Sequence, residues 1–149
     1  MKSKLSLLRY CISCKAKCCK ISKKIGSPIL CEREAAKLKK INPNAIKKVK
    51  TKYGEYFILK EKKNKECPFL FNLKCKTEKI KPLDCLCYPI KAVWKKDEIK
   101  FITDKDCPAH KKLSKTFIKE AKKIALKSIK RFNKQTYNHW LKNNVGWVN

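Results

Sequence analysis

Glycine is almost absent from this chain: Gly26, Gly54 and Gly146 are the only three in 149 residues. So few glycines leave little room for a glycine-rich nucleotide loop, or for a flexible hinge between domains. Histidine is scarcer still, with His110 and His139 alone. With no nucleophile in a recognisable setting either, a Cys-His or Ser-His-Asp catalytic arrangement is not expected. The 12 acidic residues are scattered and form no paired-carboxylate motif. Long apolar runs are missing too, since nothing approaches the roughly 18 residues that a membrane span needs. Leu5, Leu7 and Leu8 make only a stub that Arg9 ends, which predicts no secretory signal and no membrane partner.

Lysine and cysteine fill the space. Lys and Arg number 40 against 12 Asp and Glu, a net charge of +28. That excess is far beyond what solubility requires, and polyanions such as RNA or the ribosome are its natural counterpart. Against this, only Arg9, Arg33 and Arg131 are arginines. Arginine's planar fork is what dedicated phosphate and base readers use most, so the charge also fits a compositional drift towards lysine.

Hydrophobic residues make up 43% of the chain, but ten of them are cysteines, so the aliphatic and aromatic stock is thin for a core. A bound metal would supply part of what is missing. Export would oxidise these cysteines to disulfides, whereas pairs at two- and three-residue intervals in a reducing cytosol read as metal ligands. The expected location is cytoplasmic.

The pattern predicts a single α+β domain over 1–149, with a metal-binding core at 11–107 and a basic helical part at 108–149. Ile29 to Ile41 reads as a helix, with Glu32 and Glu34 early and Lys37, Lys39 and Lys40 late, as the helix dipole prefers. Asn42-Pro43 should end it. A second short helix is expected across Ala45 to Lys52, then a strand from Tyr56 to Lys60. Cys67-Pro68-Phe69-Leu70 to Cys75 reads as a tight loop with short extended arms. Ile90 to Trp94 and Ile99 to Thr103 flank a polar turn and predict a β-hairpin. Beyond Pro108, Leu113, Phe117, Ala121, Ile124, Ser128 and Phe132 share one helical stripe, widened by Ile118, Ala125 and Ile129. The lysines between them would face water, or would contact RNA with Tyr137, Trp140 and Trp147 as stacking groups. A last helix around Thr136 to Lys142 would dock Tyr137, Trp140 and Leu141 on the core.

Cys11, Cys14, Cys18 and Cys19 follow the form C-x2-C-x3-C-C, which points several thiolates into one small volume. Thiolates so close repel one another unless a cation turns the repulsion into ligation. Cys67, Cys75, Cys85, Cys87 and Cys107 are too spread for one turn and must converge through the fold, which would make metal binding and folding one event. Zinc takes four ligands and a four-iron cluster about four cysteines, so ten thiols imply two centres, or one plus spares. The candidate ligands are Cys11, Cys14, Cys18, Cys19, Cys67, Cys75, Cys85 and Cys107. Cys31 is placed on the helical stripe beside Ala35 and Leu38 as a buried hydrophobe. Cys107-Pro108 would open the long helix, where a thiolate gains from the helix N-terminus. His110 stands near Cys107 but reads first as a helix cap, and His139 as packing beside Trp140.

In order along the chain, Cys11-x2-Cys14-x3-Cys18-Cys19, a helix with Glu34, Cys67-Pro-Phe-Leu, Cys75, Lys81-Pro82-x2-Cys85 and Tyr88-Pro89 resemble the YkgJ-type cysteine-cluster proteins. The resemblance covers Cys11 to Pro89, with Cys107-Pro108 as a possible tail. Lys81 stands where that family commonly has arginine before the proline, and Leu86 where it has arginine after the cysteine. The resemblance implies a zinc- or iron-chelating domain. It also implies a catalytic lead, because a flagellin lysine N-methylase looks like it contains such a domain and is associated with an iron-sulfur cluster. Such an enzyme needs a methyl-donor site, for which this chain offers no glycine-rich loop. Taken together, the sequence predicts a cytosolic protein holding an iron-sulfur cluster (4Fe-4S) or zinc, in a structural or redox role. An RNA- or ribosome-associated module with a structural metal is the alternative.

Overall fold

A computed structural model of the chain describes residues 17–19, 21 and 26–148. Cys11 and Cys14 lie outside the described residues, as does the Trp147 side chain. After an extended segment at 26–30, helix α1 runs over Glu32–Lys39, with acids in its first turn, lysines in its last, and Ala35 and Leu38 turned inward. Asn42 accepts from the Asn44 N–H at 3.1 Å and caps the single 3-10 turn Pro43–Ala45.

The expected second helix is a strand. β1 (Ile46–Thr51) pairs antiparallel with β2 (Gly54–Leu59), Ile46 opposite Leu59 and Thr51 opposite Gly54. The β-branched Ile46, Val49 and Thr51 suit a pleated surface, and a partner strand just beyond the Lys52-Tyr53 turn decides between two conformations that the interleaved lysines leave open. The sheet gains a further bridge, because Leu30 and Phe57 exchange both backbone hydrogen bonds, at 2.9 and 3.0 Å.

β3 (Leu70–Phe71) and β4 (Lys74–Cys75) form a minimal hairpin whose turn residues Asn72 and Leu73 have φ of 49° and 61°. Two successive left-handed residues match the right-handed twist of the arms. The short helix α2 (Leu83–Leu86) follows Pro82. The hairpin β5 (Ile90–Lys95) and β6 (Glu98–Thr103) lies where the sequence predicts it, joined by Lys96-Asp97.

Helix α3 (Lys115–Lys130) starts later than expected. Ser114 is its N-cap, accepting from the Phe117 N–H at 3.0 Å, and the chain before it makes only the 3-10 turn His110–Lys112. Cys107 therefore does not open the long helix. The apolar stripe is as read: Phe117, Ala121, Ala125, Ser128 and Ile129 are buried, and the lysines at 115, 119, 122, 123, 127 and 130 are exposed. Helix α4 (Lys134–Asn144), capped by Asn133, brings Tyr137 and Trp140 fully inside.

Among the described residues, three two-stranded antiparallel sheets and four helices make a small α+β domain with two apolar clusters. One lies where α3, α4 and β5 meet, around Trp140, Tyr137, Ile129 and Ile90. The other lies between α1 and the β1–β2 pair, around Leu30, Leu38, Phe57 and Phe69. Ile29 belongs to the first and Leu30 to the second, so adjacent residues of one extended segment join the two.

Candidate metal centre

Backbone pairing brings the segment that carries Cys18 and Cys19 to the middle of the chain. Lys17–Cys19 is one 3-10 turn. The Cys67 N–H donates to the Cys19 carbonyl at 2.6 Å, and the Ile21 N–H to the Lys65 carbonyl at 2.6 Å. Cys67 itself starts a turn, its carbonyl accepting from Leu70 N–H at 3.0 Å. Leu70 in β3 then faces Cys75 in β4, and Lys62 Nζ fastens the hairpin by donating to the Leu70 carbonyl at 2.8 Å.

Cys85 arrives on α2. That helix is held at its N-terminus by Glu34 of α1, whose Oε1 accepts from the Leu83 N–H at 2.9 Å. The other oxygen of Glu34 accepts from the Cys31 N–H at 3.2 Å and meets Arg131 Nη1 at 2.6 Å. One carboxylate thus ties α1, α2 and the end of α3 together.

The electrostatics show which sulfurs are neighbours. Burial pushes the Cys67 thiol up to about 12, and the negative charges of Cys19 and Cys75 add to the rise. Cys85 is raised well above the ordinary thiol range, again first by burial and then by Asp84, Cys67 and Cys19. Burial works against the Lys81 ammonium, but Cys75, Glu78 and Cys85 together outweigh it and raise its pKa. The charges of Cys19, Cys67, Cys75 and Cys85 therefore bear on one another, with the Lys62 and Lys81 ammonium groups opposing them. A thiol held protonated by burial and by other sulfurs is the state that a bound cation would reverse.

Other candidates go elsewhere. Cys18 and Cys107 both act on the Tyr88 phenol, whose hydroxyl donates to Asp104 Oδ2 at 2.6 Å. Cys107 is buried, seven residues ahead of the α3 N-cap, and its carbonyl receives His110 Nδ1 at 2.9 Å. That contact makes His110 a brace on its own turn. Cys31 is not on the helical stripe: it is the N-cap of α1, half-buried, with its sulfur accepting from Arg131 Nη1 at 3.2 Å. Extended backbone at Ile29 and Leu30, fixed by the bridge to Phe57, starts the helix at Glu32 rather than at Ile29, where the apolar pattern begins. Cys87 caps α2 and is buried among apolar residues, its sulfur 3.5 Å from the Asp84 carbonyl. Among the described residues, no group of three or more His, Cys, Asp or Glu is arranged to hold a metal ion.

Sequence reasoning missed the buried charges around the site. Asp84, next to Cys85, pairs with Lys91 Nζ at 2.6 Å, and both side chains are almost wholly buried. Asp84 also accepts from the Ile29 N–H at 3.3 Å, while Lys91 sits 4.6 Å from the Trp140 ring centre. An aspartate directly before the Cys85-Leu86-Cys87 run was the available signal. The proposed stacking groups fare differently: Tyr137 and Trp140 are buried, donating to the Ala92 and Ser27 carbonyls at 2.9 and 3.0 Å, so neither can reach a base. No helix among the described residues is long and apolar enough to cross a membrane. No known protein family, curated protein or solved structure matches the chain.

Proposed function

We propose that this chain is a cytoplasmic metal-binding protein of the YkgJ type, with a centre held by Cys19, Cys67, Cys75 and Cys85. The observation that supports it most is the backbone bridge from Cys19 to Cys67, which joins the dense N-terminal motif to the Cys67–Cys75 hairpin. Four sulfurs from three separate stretches then lie within electrostatic reach of one another, where an apolar core would gain nothing from them. Binding draws the sulfurs in and removes the thiol protons, so loading and final folding are coupled. The thiolate excess favours an iron-sulfur cluster over zinc, and Lys81 offsets the negative charge of either thiolate centre.

Purification without oxygen, followed by metal analysis and an absorption spectrum, tests this. Iron with acid-labile sulfide and broad visible absorption is the expected result, and zinc without visible bands keeps the centre but changes its role to structural. Protein free of both metals after such handling overturns the reading.

The basic surface supports a second reading, association with RNA or the ribosome. Phe101 of β6 is exposed beside Lys122 of α3, whose Nζ lies 5.6 Å from the ring centre, so an aromatic face and a lysine row share one surface. Binding of this kind weakens steeply with salt. Co-sedimentation with ribosomes or RNA at low salt, lost as salt rises, would support it; no association at low salt removes it.

A further inference from the structure

Every exposed aromatic ring among the described residues has an ammonium group over its face. Lys52 Nζ lies 5.0 Å from the Tyr53 ring centre, Lys122 Nζ 5.6 Å from that of Phe101, and Lys76 Nζ 4.4 Å from that of Phe71. Phe71 is the barest of the three, 57% exposed, and is the last residue of β3 before the hairpin turn. The hairpin beneath it is fixed on both sides: the Leu70 carbonyl accepts from Lys62 Nζ at 2.8 Å, and the Phe69 carbonyl from the Lys76 N–H at 2.9 Å. Lys74 faces Phe71 across the two strands, and Lys74, Lys76 and Lys79 are all exposed. The nearby Glu78 carboxylate is already paired with Lys81 at 3.3 Å. Leu73, at φ 61°, places a 37% exposed apolar side chain at a turn position that glycine or asparagine ordinarily fills.

A partner for this tip must accept an aromatic face and several ammonium groups at once. A protein surface gains too little, because a stable interface buries upwards of about 1,000 Å² and the tip offers two apolar side chains. Lipid acyl chains would take Phe71 and Leu73, but they would draw the Lys76 ammonium out of water along with the ring it covers. A nucleotide satisfies both groups, its base stacking on the ring face that Lys76 leaves open and its phosphate meeting the lysines. We propose that the tip of the β3–β4 hairpin is a contact for single-stranded RNA, with one unpaired base stacked on Phe71 and the neighbouring phosphates held by Lys74, Lys76 and Lys79. A duplex keeps its bases stacked on one another, so it offers the ring no face. This inference rests on the RNA reading above, adds to it a contact besides Phe101, and does not depend on a bound metal.

The test is binding of the full chain to a short labelled oligouridine at one low salt concentration, with inorganic polyphosphate, which carries charge without bases, as a second ligand. Phe71→Ala and Phe71→Leu should each weaken oligouridine binding about fivefold to a hundredfold, the worth of one stacked base. Phe71→Tyr should bind as the wild type does, and polyphosphate affinity should stay the same in all of them. Unchanged oligouridine affinity in the alanine and leucine variants, or a matching fall for polyphosphate, overturns the stacking contact and leaves the RNA reading standing. A wild type that does not bind oligouridine at low salt overturns both. Sedimentation with phosphatidylserine vesicles that Phe71→Ala abolishes, while oligouridine binding is untouched, assigns the tip to lipid instead. Circular dichroism reports whether each variant folds, and should the alanine variant not fold, the leucine variant decides.

Discussion

Glu34 and Arg131 meet at 2.6 Å, with the Cys31 sulfur 3.2 Å from the same guanidinium nitrogen. The pair is largely shielded, its side chains 15% and 20% exposed, so water screens it only in part. Its place explains its worth: the carboxylate also receives the backbone N–H groups that begin α1 and α2.

Removing the carboxylate should loosen the Cys85 helix as well as the pair. Glu34→Ala is expected to cost about 2–3 kcal/mol, because a half-shielded guanidinium and two backbone donors lose their acceptor together. Glu34→Gln keeps one oxygen for Leu83 and should cost less. Urea denaturation of the three proteins checks this, and equal midpoints for Ala and wild type would show that the contact does not hold α2.

Asp84 and Lys91 form a more deeply buried pair, 6% and 8% exposed, under Trp140. Each single change, Asp84→Asn or Lys91→Met, leaves one uncompensated charge inside and should cost about 3–5 kcal/mol. The double change leaves none, so it should cost clearly less than the two single costs added together. A double-mutant cycle by denaturation measures the coupling directly. Additive costs would mean that the two charges act independently.

How much of this could be read beforehand depended on the range of the signal. The β5–β6 hairpin and α3 were legible because their patterns are local: two β-rich runs around a polar turn, and one stripe from Phe117 to Ile129. β1 was not, since lysines at 47, 48 and 50 around Ile46 and Val49 fit either period, and only pairing with β2 resolves it. Spacing offered Cys19, Cys67, Cys75 and Cys85 only among eight candidate ligands, with Cys11, Cys14, Cys18 and Cys107 beside them. It did not separate Cys18 from Cys19, nor find Glu34 with Arg131, which joins segments far apart in the chain, nor Asp84 with Lys91, which only the turn from α2 into β5 brings together.

Gly26 tests the link between the cysteine-bearing half and α4. A Cβ at this position would overlap the Asn144 backbone carbonyl, and backbone at the end of a capped helix cannot step aside cheaply. Gly26→Ala should therefore cost about 2–3 kcal/mol, through displacement of the segment that carries Ser27 and Ile29. Hydrogen exchange would show the Trp140 indole N–H, bonded to the Ser27 carbonyl, losing protection. Unchanged protection would place the segment elsewhere.

Stability should respond to pH with opposite sign in the empty and loaded proteins. In the empty protein the Cys67 and Cys87 thiols titrate near 12, against 9.0 for an ordinary thiol, and burial is the main cause of both. Between about pH 9 and 12 the unfolded chain has lost those protons while the folded chain keeps them, so the folded state binds more protons and stability falls as pH rises. The loss by pH 11 should be on the order of a few kcal/mol. In the loaded protein the ligating thiols are already deprotonated, while the unfolded chain holds its protons below about pH 9. The unfolded state then binds more protons, and stability rises between pH 6 and about 9. Urea midpoints of both forms across pH 6 to 11 would show the two slopes. A loaded protein whose midpoint stays flat below pH 9 would mean that its metal is held by groups other than these cysteine thiols.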